Sequence, residues 1–425
     1  MSAASMDKIV VVGQGYVGLP LAVAVAENGR RVIGLDIDQE RVAALIRGRS
    51  HIADISSERL AAVLAAGTYV PTCDPSDADG FDIAVVTAPT PLDAAHTPDL
   101  TWVRMAAADL GRRLRPGCLV ILESTSFPGT TEEVVAPILA AESGLRPGED
   151  FDLGFSPERI DPGNAHWTLE TTPKVVSATS PESLARVREF YEIFLEHTVE
   201  ASNPRVAELA KVFENTFRQV NIALVNELTM HARRLGIDAW EALDIAGTKP
   251  FGFMRFSPGP GVGGHCLPID PMYLAWKVQQ DTGHPFRIVE LAQSINDSMP
   301  AYVVERIAEG LARRGGALLG ARVLVLGLSY KPDIADIRES PAVAVCELLV
   351  QAGAQVSYVD ELVGEKPEPA GLTPAELTEA ELAAADVVVV LADHNHLDYD
   401  FVAEHARYVF DTRRRLPGRA GVETL

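Results

Sequence analysis

The first 200 residues alternate short apolar runs with amphipathic stretches of helical period. The runs are predicted to be strands and cover residues 8–12, 31–35, 81–88, 118–123, 151–155 and 173–178. Continuous apolar runs of this length are typical of strands buried on both faces of a parallel sheet. Helical patterns at residues 19–28 and 181–195 fit between and after them. The pattern predicts a doubly wound α/β domain over residues 1–202.

A second feature is an unbroken helical period from Asn203 to Leu235, which opens with an N-cap residue and a proline. Its apolar residues recur at spacings of three and four, at Val206, Leu209, Phe213, Phe217, Val220, Leu224 and Leu228. Such a helix would be roughly 45 to 50 Å long. That length suits a spine that joins two domains and pairs with a second subunit, so we expect a homodimer.

The last third repeats the α/β pattern. Strands are predicted at residues 322–326, 355–359, 386–392 and 409–411, with a helix at 342–352. This half lacks a GxGxxG motif, so it is either a second nucleotide site or a structural domain. The predicted fold class is α/β, with two Rossmann-like doubly wound domains joined by a central helical domain with one long helix. We expect that central domain at residues 203–317 and the C-terminal domain at 318–425.

The composition limits the kinds of binding partner that the protein is expected to have. The 425 residues carry a formal net charge of -22, which argues against nucleic acid and anionic membranes. The four cysteines form no CxxC pair, so neither a metal site nor a disulfide framework is indicated, and a reducing cytoplasm fits best. No run of 18 apolar residues predicts a membrane span.

The first strand runs into a glycine-rich turn, a helix and a second strand that ends in an acid. Gly13, Gly15 and Gly18 form GxGxxG, and Asp36 lies 18 residues after Gly18. This context predicts dinucleotide binding, with the glycines at the pyrophosphate and the acid on the ribose hydroxyls. An acid there favours NAD over NADP. Arg41 weakens that preference slightly, and the alternative is that it simply lies beside the adenine. The alternative is a glycine-rich turn that binds nothing.

Other candidates follow later strands or stand on the long helix. Thr90, Thr125 and Glu158 come after strands, where an open α/β sheet binds its ligands, although each alone could be a cap or turn residue. Lys211 and Asn215 are four residues apart and share a helix face. Cys266 stands in a loop of glycines and prolines, residues 259–271, as a nucleophile or a buried structural cysteine.

Seven ordered motifs together resemble the UDP-glucose/GDP-mannose dehydrogenase family of nucleotide-sugar 6-dehydrogenases. They are GQGYVG, APTP, ESTSFPGTT, SPERIDPGN, ELAKVFENTFRQVNIALVNE, GPGVGGHCLPIDP and SYKPDIADIRESP. The resemblance runs from Gly13 to about Arg413. Within the family, GGHCLPIDP and SPERIDPGN are similar to the branch acting on UDP-N-acetylhexosamines, and to UDP-N-acetylglucosamine 6-dehydrogenases in particular.

The resemblance implies a four-electron oxidation of the sugar C6 hydroxymethyl to a carboxylate with two NAD, giving a uronic acid for polysaccharide biosynthesis. Cys266 would form a thiohemiacetal and then a thioester. Lys211 and Asn215 would stabilise the oxyanion, Glu158 would activate the hydrolytic water, and Thr125 and Asp270 would hold it. The implied cofactor residues are Gly13, Gly15, Tyr16, Val17, Gly18, Asp36, Arg41, Thr90, Thr125 and Arg338. The implied substrate residues are Glu158, Arg159, Ile160, Asp161, Lys211, Asn215, Ser257, Gly259, Gly261, Tyr330, Lys331 and Arg413.

Two positions depart from what the resemblance leads us to expect. Ser257 stands where we expect an aromatic residue, and Arg255 replaces a small residue or proline. Both flank the sugar pocket, so UDP-glucose, UDP-N-acetylmannosamine and dTDP-glucose stay open as substrates. A two-electron hydroxyacid dehydrogenase and a non-catalytic NAD-responsive protein are the more distant alternatives.

Overall fold

A computed structural model describes residues 8–52, 54–160, 166–363 and 371–425. Asp161, an implied substrate residue, lies outside these ranges. The chain divides into two compact units: Met1–Glu214 with Met272–Gly283, and Asn215–Pro271 with His284–Leu425. Among the helices of the described residues, none combines the length and apolarity that a bilayer span requires.

The first unit is built on one sheet, which has eight strands in the described residues. They are β1 (Lys8–Val12), β2 (Arg31–Leu35), β3 (Tyr69–Thr72), β4 (Ile83–Val86), β5 (Leu119–Leu122), β6 (Asp152–Phe155), β7 (Lys174–Ala178) and β8 (Thr198–Glu200). Their spatial order is β3-β2-β1-β4-β5-β6-β7-β8. All neighbours are parallel except β6 and β7, which run antiparallel.

The six predicted strands of this unit are confirmed, β1 and β2 with the same bounds. Sequence reasoning missed β3 and β8, which are the two edges of the sheet. β3 contains Pro71, and β8 has three residues, of which two are polar. Edge strands are short and polar because a long apolar edge would pair with other chains, so they give no apolar run to detect.

Helices cover both faces of this sheet. They are α1 (Gly18–Glu27), α2 (Gln39–Ile46), α3 (Ser57–Ala65), α4 (Thr101–Gly111), α5 (Ala136–Ser143) and α6 (Pro181–Tyr191). The start of α6 shows the local cause, because the Ser180 side chain accepts the Ser183 N–H and proline occupies the first helical position. Strand residues such as Ile9 and Val11 pack with α1 and α6 in one buried core.

The long helix is present as α7 (Pro204–Arg234), with 31 residues. The Asn203 Oδ1 atom accepts the Val206 N–H at 3.0 Å, so Asn203 is the predicted N-cap. Three further helices follow: α8 (Ala239–Gly247), α9 (Asp270–Thr282) and α10 (Arg287–Ala312).

The second unit contains a sheet that is entirely parallel within the described residues. Its strands are β9 (Arg322–Leu326), β10 (Gln355–Val359), β11 (Thr373–Pro374), β12 (Val387–Val390), β13 (Val409–Asp411) and β14 (Val422–Thr424), in the order β11-β10-β9-β12-β13-β14. Helices α11 (Pro341–Gln351), α12 (Glu379–Ala384) and α13 (Tyr399–His405) accompany them. One core packs α10 and α11 on the sheet, and another packs α12 and α13. The predicted fold class is confirmed.

A buried carboxylate ties the first turns of α7 to the loop that follows β5. Glu208 accepts hydrogen bonds from the Gly129 N–H at 2.5 Å, the Thr131 N–H at 2.8 Å and the Thr131 hydroxyl at 2.7 Å. Burial raises the pKa of Glu208 to about 7, because it outweighs the effect of these three donors. The Glu208 carboxyl group therefore holds a proton over a pH range in which a glutamate of the unfolded chain is ionised.

We predict that Glu208 makes the stability of the protein depend on pH. Between its ordinary value of 4.5 and about 7, the folded state holds a proton that the unfolded state releases, so stability falls as pH rises. Glu208→Gln removes this dependence. The difference in unfolding free energy between wild type and variant should shrink by about 2 to 3 kcal/mol from about pH 5 to about pH 7.5. Denaturant titrations across this range measure it.

The control is Glu132→Gln, in the same loop region, where a half-buried carboxylate pairs with Arg205. Its difference from wild type should stay nearly constant over the range. A constant difference for Glu208→Gln as well would contradict the prediction.

Candidate active site

At two positions, Gly13 and Gly18, the turn after β1 leaves no room for a side chain. Gly13 has φ +94°, and a Cβ there would lie 2.8 Å from the Thr87 carbonyl oxygen. A Cβ at Gly18 would lie 1.8 Å from the Gly13 carbonyl oxygen. The Thr87 hydroxyl, which follows β4, donates to that same oxygen at 2.9 Å. Glycine at both positions is therefore what lets α1 start directly against the end of β1.

The same turn has the space and polarity that a pyrophosphate needs. A Cβ at Gly15 would meet no described heavy atom within 4 Å. The first turn of α1, residues 18–21, contains no acidic side chain, so the positive end of the helix dipole has no competing negative charge there. Tyr16 is 42% exposed beside it, and Val17 is the residue that precedes the helix. The turn fits NAD.

Asp36 is oriented toward this turn from the end of β2. Its Oδ2 accepts the Gln14 N–H at 2.7 Å and pairs with the Arg41 guanidinium at 2.8 Å. Its Oδ1 accepts the Asp38 N–H at 2.9 Å. Arg41 therefore compensates the acid in this structure, an ion pair that sequence reasoning did not foresee.

The segments after β4 and β5 lie side by side, as the parallel sheet requires. The Ser124 hydroxyl donates to the Ala88 carbonyl at 2.7 Å and so ties the two segments together. Thr90 is buried and Thr125 is half-buried. The structure thus places both threonines at the carboxyl edge of the sheet, where the sequence predicted them.

Glu158 follows β6 and is part of a buried charge cluster. Its Oε1 accepts the N–H groups of Arg159 at 2.6 Å and Ile160 at 2.7 Å. Its Oε2 lies 2.8 Å from the ammonium of Lys174, which also lies 3.2 Å from Glu123 Oε1. Arg159 and Ile160 therefore act on Glu158 through their backbone.

Two further side chains, those of Tyr191 and Arg159, lie near the charge cluster around Glu158. The Tyr191 hydroxyl donates to Glu123 Oε1, while Glu123 Oε2 is buried without a partner in the described residues. The Arg159 guanidinium turns away from the cluster to Glu214 at 2.7 Å and the Pro173 carbonyl at 3.1 Å. Sequence reasoning found Glu158 in this cluster and missed Glu123, Lys174 and Tyr191.

The surroundings shift the pKa values of the two glutamates of the cluster in opposite directions. Burial opposes ionisation of Glu158, but the Lys174 ammonium and two N–H donors lower the pKa of its carboxyl. Burial raises the pKa of Glu123, and the neighbouring Glu158 charge adds to it. Burial opposes the charge of Lys174, yet the two carboxylates raise the pKa of the ammonium. Glu158 and Lys174 are thus the charged pair.

In the second unit, Cys266 stands just before α9. It is exposed, and its carbonyl oxygen accepts the Asp270 N–H at 2.9 Å, so the loop closes into the first turn of that helix. A helix start favours negative charge nearby. Asn215 donates through Nδ2 to Asp270 Oδ2 at 2.5 Å, and both side chains are buried. Lys211, one turn earlier on α7, is 8% exposed.

The cysteine loop packs directly against the motif that follows β9. A Cβ at Gly263 or Gly264 would lie 2.7 Å from the Tyr330 side chain, so only glycine permits this contact. The Gly264 N–H donates to the Arg338 carbonyl at 3.1 Å. The Arg338 guanidinium itself is paired with Asp336. Two motifs that are about 65 residues apart in the chain thus form one surface.

The start of the loop is held from α7. The Gly259 N–H donates to Asn226 Oδ1 at 3.0 Å, and Asn226 Nδ2 donates to Asn296 Oδ1 at 3.0 Å. Gly261 has φ +135°, and a Cβ there would lie 3.0 Å from Pro341. Sequence reasoning missed Asn226, although a polar residue within an apolar helical stretch is a usable signal.

Cations line the other side of this loop. A Cβ at Gly259 would lie 2.8 Å from a guanidinium nitrogen of Arg413, whose Nε donates to the Leu391 carbonyl at 2.7 Å. Burial lowers the pKa of Arg413. Arg255 pairs with Asp244 and donates to the Ser257 hydroxyl at 2.7 Å. The Lys331 carbonyl accepts the Ser329 hydroxyl at 2.8 Å.

One cluster in this unit has metal-ligand chemistry, Asp333 with His394 and His396, whose donor atoms lie within 4.8 Å of one another. The ring of His394 is already engaged at both nitrogens. Its Nδ1 accepts the Asp333 N–H at 2.9 Å, and its Nε2 lies 3.1 Å from Asp360 Oδ2. A metal would have to break one of these bonds, so the cluster reads as a structural network.

Known proteins match the chain along most of its length. Models of the UDP-glucose/GDP-mannose dehydrogenase family match residues 7–195 as its NAD binding domain, 205–298 as its central domain and 324–417 as its UDP binding domain. UDP-N-acetyl-D-glucosamine 6-dehydrogenase of Pseudomonas aeruginosa is 42% identical over 357 residues, which cover 84% of this chain and 83% of that protein. UDP-N-acetyl-D-mannosamine dehydrogenase of Escherichia coli K12 is 36% identical over 425 residues, covering 96% and 99%.

Solved structures agree with these matches. The UDP-D-ManNAc dehydrogenase of Pyrococcus horikoshii superimposes with a TM-score of 0.88 at 31% identity, covering 98% of each chain. The UDP-N-acetyl-mannosamine dehydrogenase Cap5O of Staphylococcus aureus does so with a TM-score of 0.85 at 30% identity, also covering 98% of each. The chain belongs to the UDP-glucose/GDP-mannose dehydrogenase family and is an NAD-dependent nucleotide-sugar dehydrogenase.

Proposed function

We propose that this enzyme oxidises the C6 hydroxymethyl of UDP-N-acetylglucosamine to a carboxylate with two NAD. The observation that carries the chemistry is the cysteine loop, where an exposed Cys266 precedes a helix start and a buried Asn215–Asp270 pair lies beside it. The choice of sugar rests on the relative with 42% identity. UDP-N-acetylmannosamine is the second candidate, because relatives with that name match 96% of the chain.

Cys266 explains how one site performs two successive oxidations. NAD, when bound, accepts a hydride in each of them. An aldehyde offers no second hydride until a nucleophile adds to its carbon, and a thiolate adds well. The thiohemiacetal on Cys266 is oxidised to a thioester, which water then hydrolyses. In total, one alcohol, two NAD and one water give one carboxylate, two NADH and three protons.

Lys211 and Asn215 share one face of α7 by their spacing, and we assign them to the oxyanion that forms at C6. The Asn215 amide nitrogen has two hydrogens, and its bond to Asp270 uses one of them and fixes the direction of the other. Both side chains are nearly dry, at 8% and 4% exposure, which strengthens their effect on a developing charge.

Glu158 is assigned to the hydrolytic water, with Thr125 and Asp270 holding that water in place. A general base must be ionised before it can take a proton, and the cluster around Glu158 satisfies that need.

The nucleotide side is assigned to Tyr330, Lys331 and Arg413 together with the glycines at 259 and 261. A half-buried guanidinium such as that of Arg413 suits a diphosphate, which would compensate its charge. At the sugar end, Arg255 reaches the Ser257 hydroxyl and covers the position where an aromatic residue was expected. We infer that this pair replaces an aromatic wall with hydrogen-bonding groups.

The long helix supports a homodimer. Six apolar side chains along it are 41–60% exposed: Val206, Leu209, Phe213, Phe217, Leu224 and Leu228. They recur at helical spacing over about 33 Å of α7. An apolar stripe of this length is self-complementary about a two-fold axis, so a second copy of the same helix is the partner we propose.

We predict that wild-type enzyme forms two NADH per UDP-N-acetylglucosamine and releases the uronic acid. Cys266→Ser should lower kcat by about 10²-fold or more, because a serine hydroxyl at neutral pH adds poorly to an aldehyde. Absorbance at the NADH band, with product analysis by mass spectrometry, measures both. One NADH per sugar would contradict the four-electron reaction and favour the hydroxyacid dehydrogenase alternative.

The sugar is tested with a panel of UDP-N-acetylglucosamine, UDP-N-acetylmannosamine, UDP-glucose and dTDP-glucose. We predict the highest kcat/KM for the first. Ser257→Tyr should change the ratio of kcat/KM among these substrates, since a pocket contact discriminates by about 1 to 3 kcal/mol. A higher kcat/KM for UDP-N-acetylmannosamine in wild type would assign the enzyme to that sugar instead.

The dimer is tested by light scattering coupled to size exclusion, and we predict twice the chain mass of 45.7 kDa. The double variant Phe213→Glu, Leu224→Glu should shift the mass toward the monomer, because it places charges in the apolar stripe. Met105→Glu is the control, since Met105 is a single apolar residue of α4 that is 53% exposed. A monomeric wild type would rule the dimer out.

A further inference from the structure

Lys174 carries a charge in the interior of the first unit, and no role assigned so far uses it. It is the first residue of β7, and its side chain is 4% exposed. Because β7 runs antiparallel to β6 with Phe155 opposite Ser177, the beginning of β7 lies at the end of β6. That register sets Lys174 beside Glu158. A parallel β7 would have put it at the other edge of the sheet.

The cluster contains two carboxyl groups and one ammonium in nearly dry surroundings. Its side chains are 0% exposed at Glu123, 4% at Lys174 and 13% at Glu158. A buried net charge is costly, so one carboxyl group holds a proton while the other is ionised. Glu158 is the better anion, because two backbone N–H groups and the nearer contact with the ammonium favour it.

The ammonium is held by its surroundings as well. Its nitrogen lies 5.3 Å from the centre of the Tyr191 ring, within the range of a cation–π contact. The Tyr191 hydroxyl donates to Glu123 Oε1, the same oxygen that lies 3.2 Å from the ammonium of Lys174. The ammonium of Lys174 is thus engaged by two carboxyl groups and one aromatic ring. Any effect on the reaction must pass through Glu158.

We propose that Lys174 is a positioning residue for the hydrolytic half of the reaction, and that it keeps Glu158 ionised and aimed at the attacking water. This rests on the proposed function, since it presupposes the thioester on Cys266. Oxygen Oε2 of Glu158 is held by the Lys174 ammonium, and Oε1 by two backbone amides, so the carboxylate has one orientation.

The step that Lys174 supports is a hydrolysis, without any change of oxidation state. The water oxygen bonds to the thioester carbon while Glu158 takes one proton from that water. The carbon–sulfur bond then breaks, and its electron pair leaves with the Cys266 sulfur. The product carboxylic acid and Glu158 return their protons to the thiolate and to solvent. Lys174 stays protonated throughout.

The test is Lys174→Met in the full-length enzyme with excess NAD and UDP-N-acetylglucosamine. We expect a rapid burst of two NADH per active site and then a steady rate lowered by about tenfold or more. Acid quenching should trap the sugar as an adduct on Cys266, detected by the mass of the intact protein. Wild type should show no such accumulation.

Two further measurements separate a positioning role from a structural one. In Lys174→Met the acid limb of kcat should move to higher pH by about 1 to 3 units, because Glu158 loses its cation and binds a proton more readily. The titratable groups that face Glu158 in this cluster are Lys174 and Glu123, and the Tyr191 hydroxyl donates to Glu123. Lys174→Arg keeps the charge and should restore most of the hydrolysis rate. Lys174→Gln gives the same answer as Lys174→Met if that variant fails to fold.

Arg186→Met is the matched control. Arg186 pairs with Asp152 at the opposite end of β6, so its loss should lower the melting temperature without trapping an adduct. A folded Lys174→Met or Lys174→Gln variant with slow first NADH formation and no adduct would overturn the proposal. So would a trapped adduct with an unmoved acid limb. If wild type forms one NADH per sugar, the proposed function itself fails, which is a different result.

Discussion

Contacts that leave no room for a Cβ hold both halves of the chemistry in place. In the first unit, the start of α1 lies so close to the Gly13 carbonyl that a side chain at Gly18 could not fit. In the second, Gly263 and Gly264 bring the cysteine loop onto Tyr330. Each contact brings backbone next to backbone or next to an aromatic ring. Glycine is required there because of the tertiary neighbour, even where the local turn would accept another residue.

Buried carboxyl groups are a second constraint on the structure. In the first unit, each of them has a different set of hydrogen-bond donors and cations around it. Glu208 accepts three hydrogen bonds and has no ion-pair partner among the described residues, and burial raises its pKa to about 7. Glu158 has donors and a cation and is ionised. Glu123 shares that cation from farther away, and burial raises the pKa of its carboxyl. Three glutamates in one unit thus have three protonation behaviours, which depend on the distance to Lys174 and on the number of N–H groups that each accepts.

The segments that identify the family and the residues that depart from its expected pattern lie at different places in the sequence. The nucleotide turn, the cysteine loop and its partner motif are what the family matches cover. The Arg255–Ser257 pair, which we propose for the sugar side, precedes the cysteine loop, and Arg255 pairs with Asp244 of α8. The Arg255–Asp244 ion pair anchors this segment on α8 and involves none of the glycines of the cysteine loop. The contacts proposed for the sugar and the glycines around the cysteine therefore belong to different segments of the chain.

The sequence alone determined the elements and the cofactor turn, because period and spacing are local properties. The bounds of β1, β2, β9 and β10 followed from apolar runs, and Asn203 from its capping pattern. Only the tertiary structure decided the direction of β7, which sets Lys174 against Glu158, and the packing of Tyr330 on Gly264. Those contacts join residues that are distant in the chain or depend on strand direction. No local pattern encodes strand direction, since an apolar run reads the same for parallel and antiparallel neighbours.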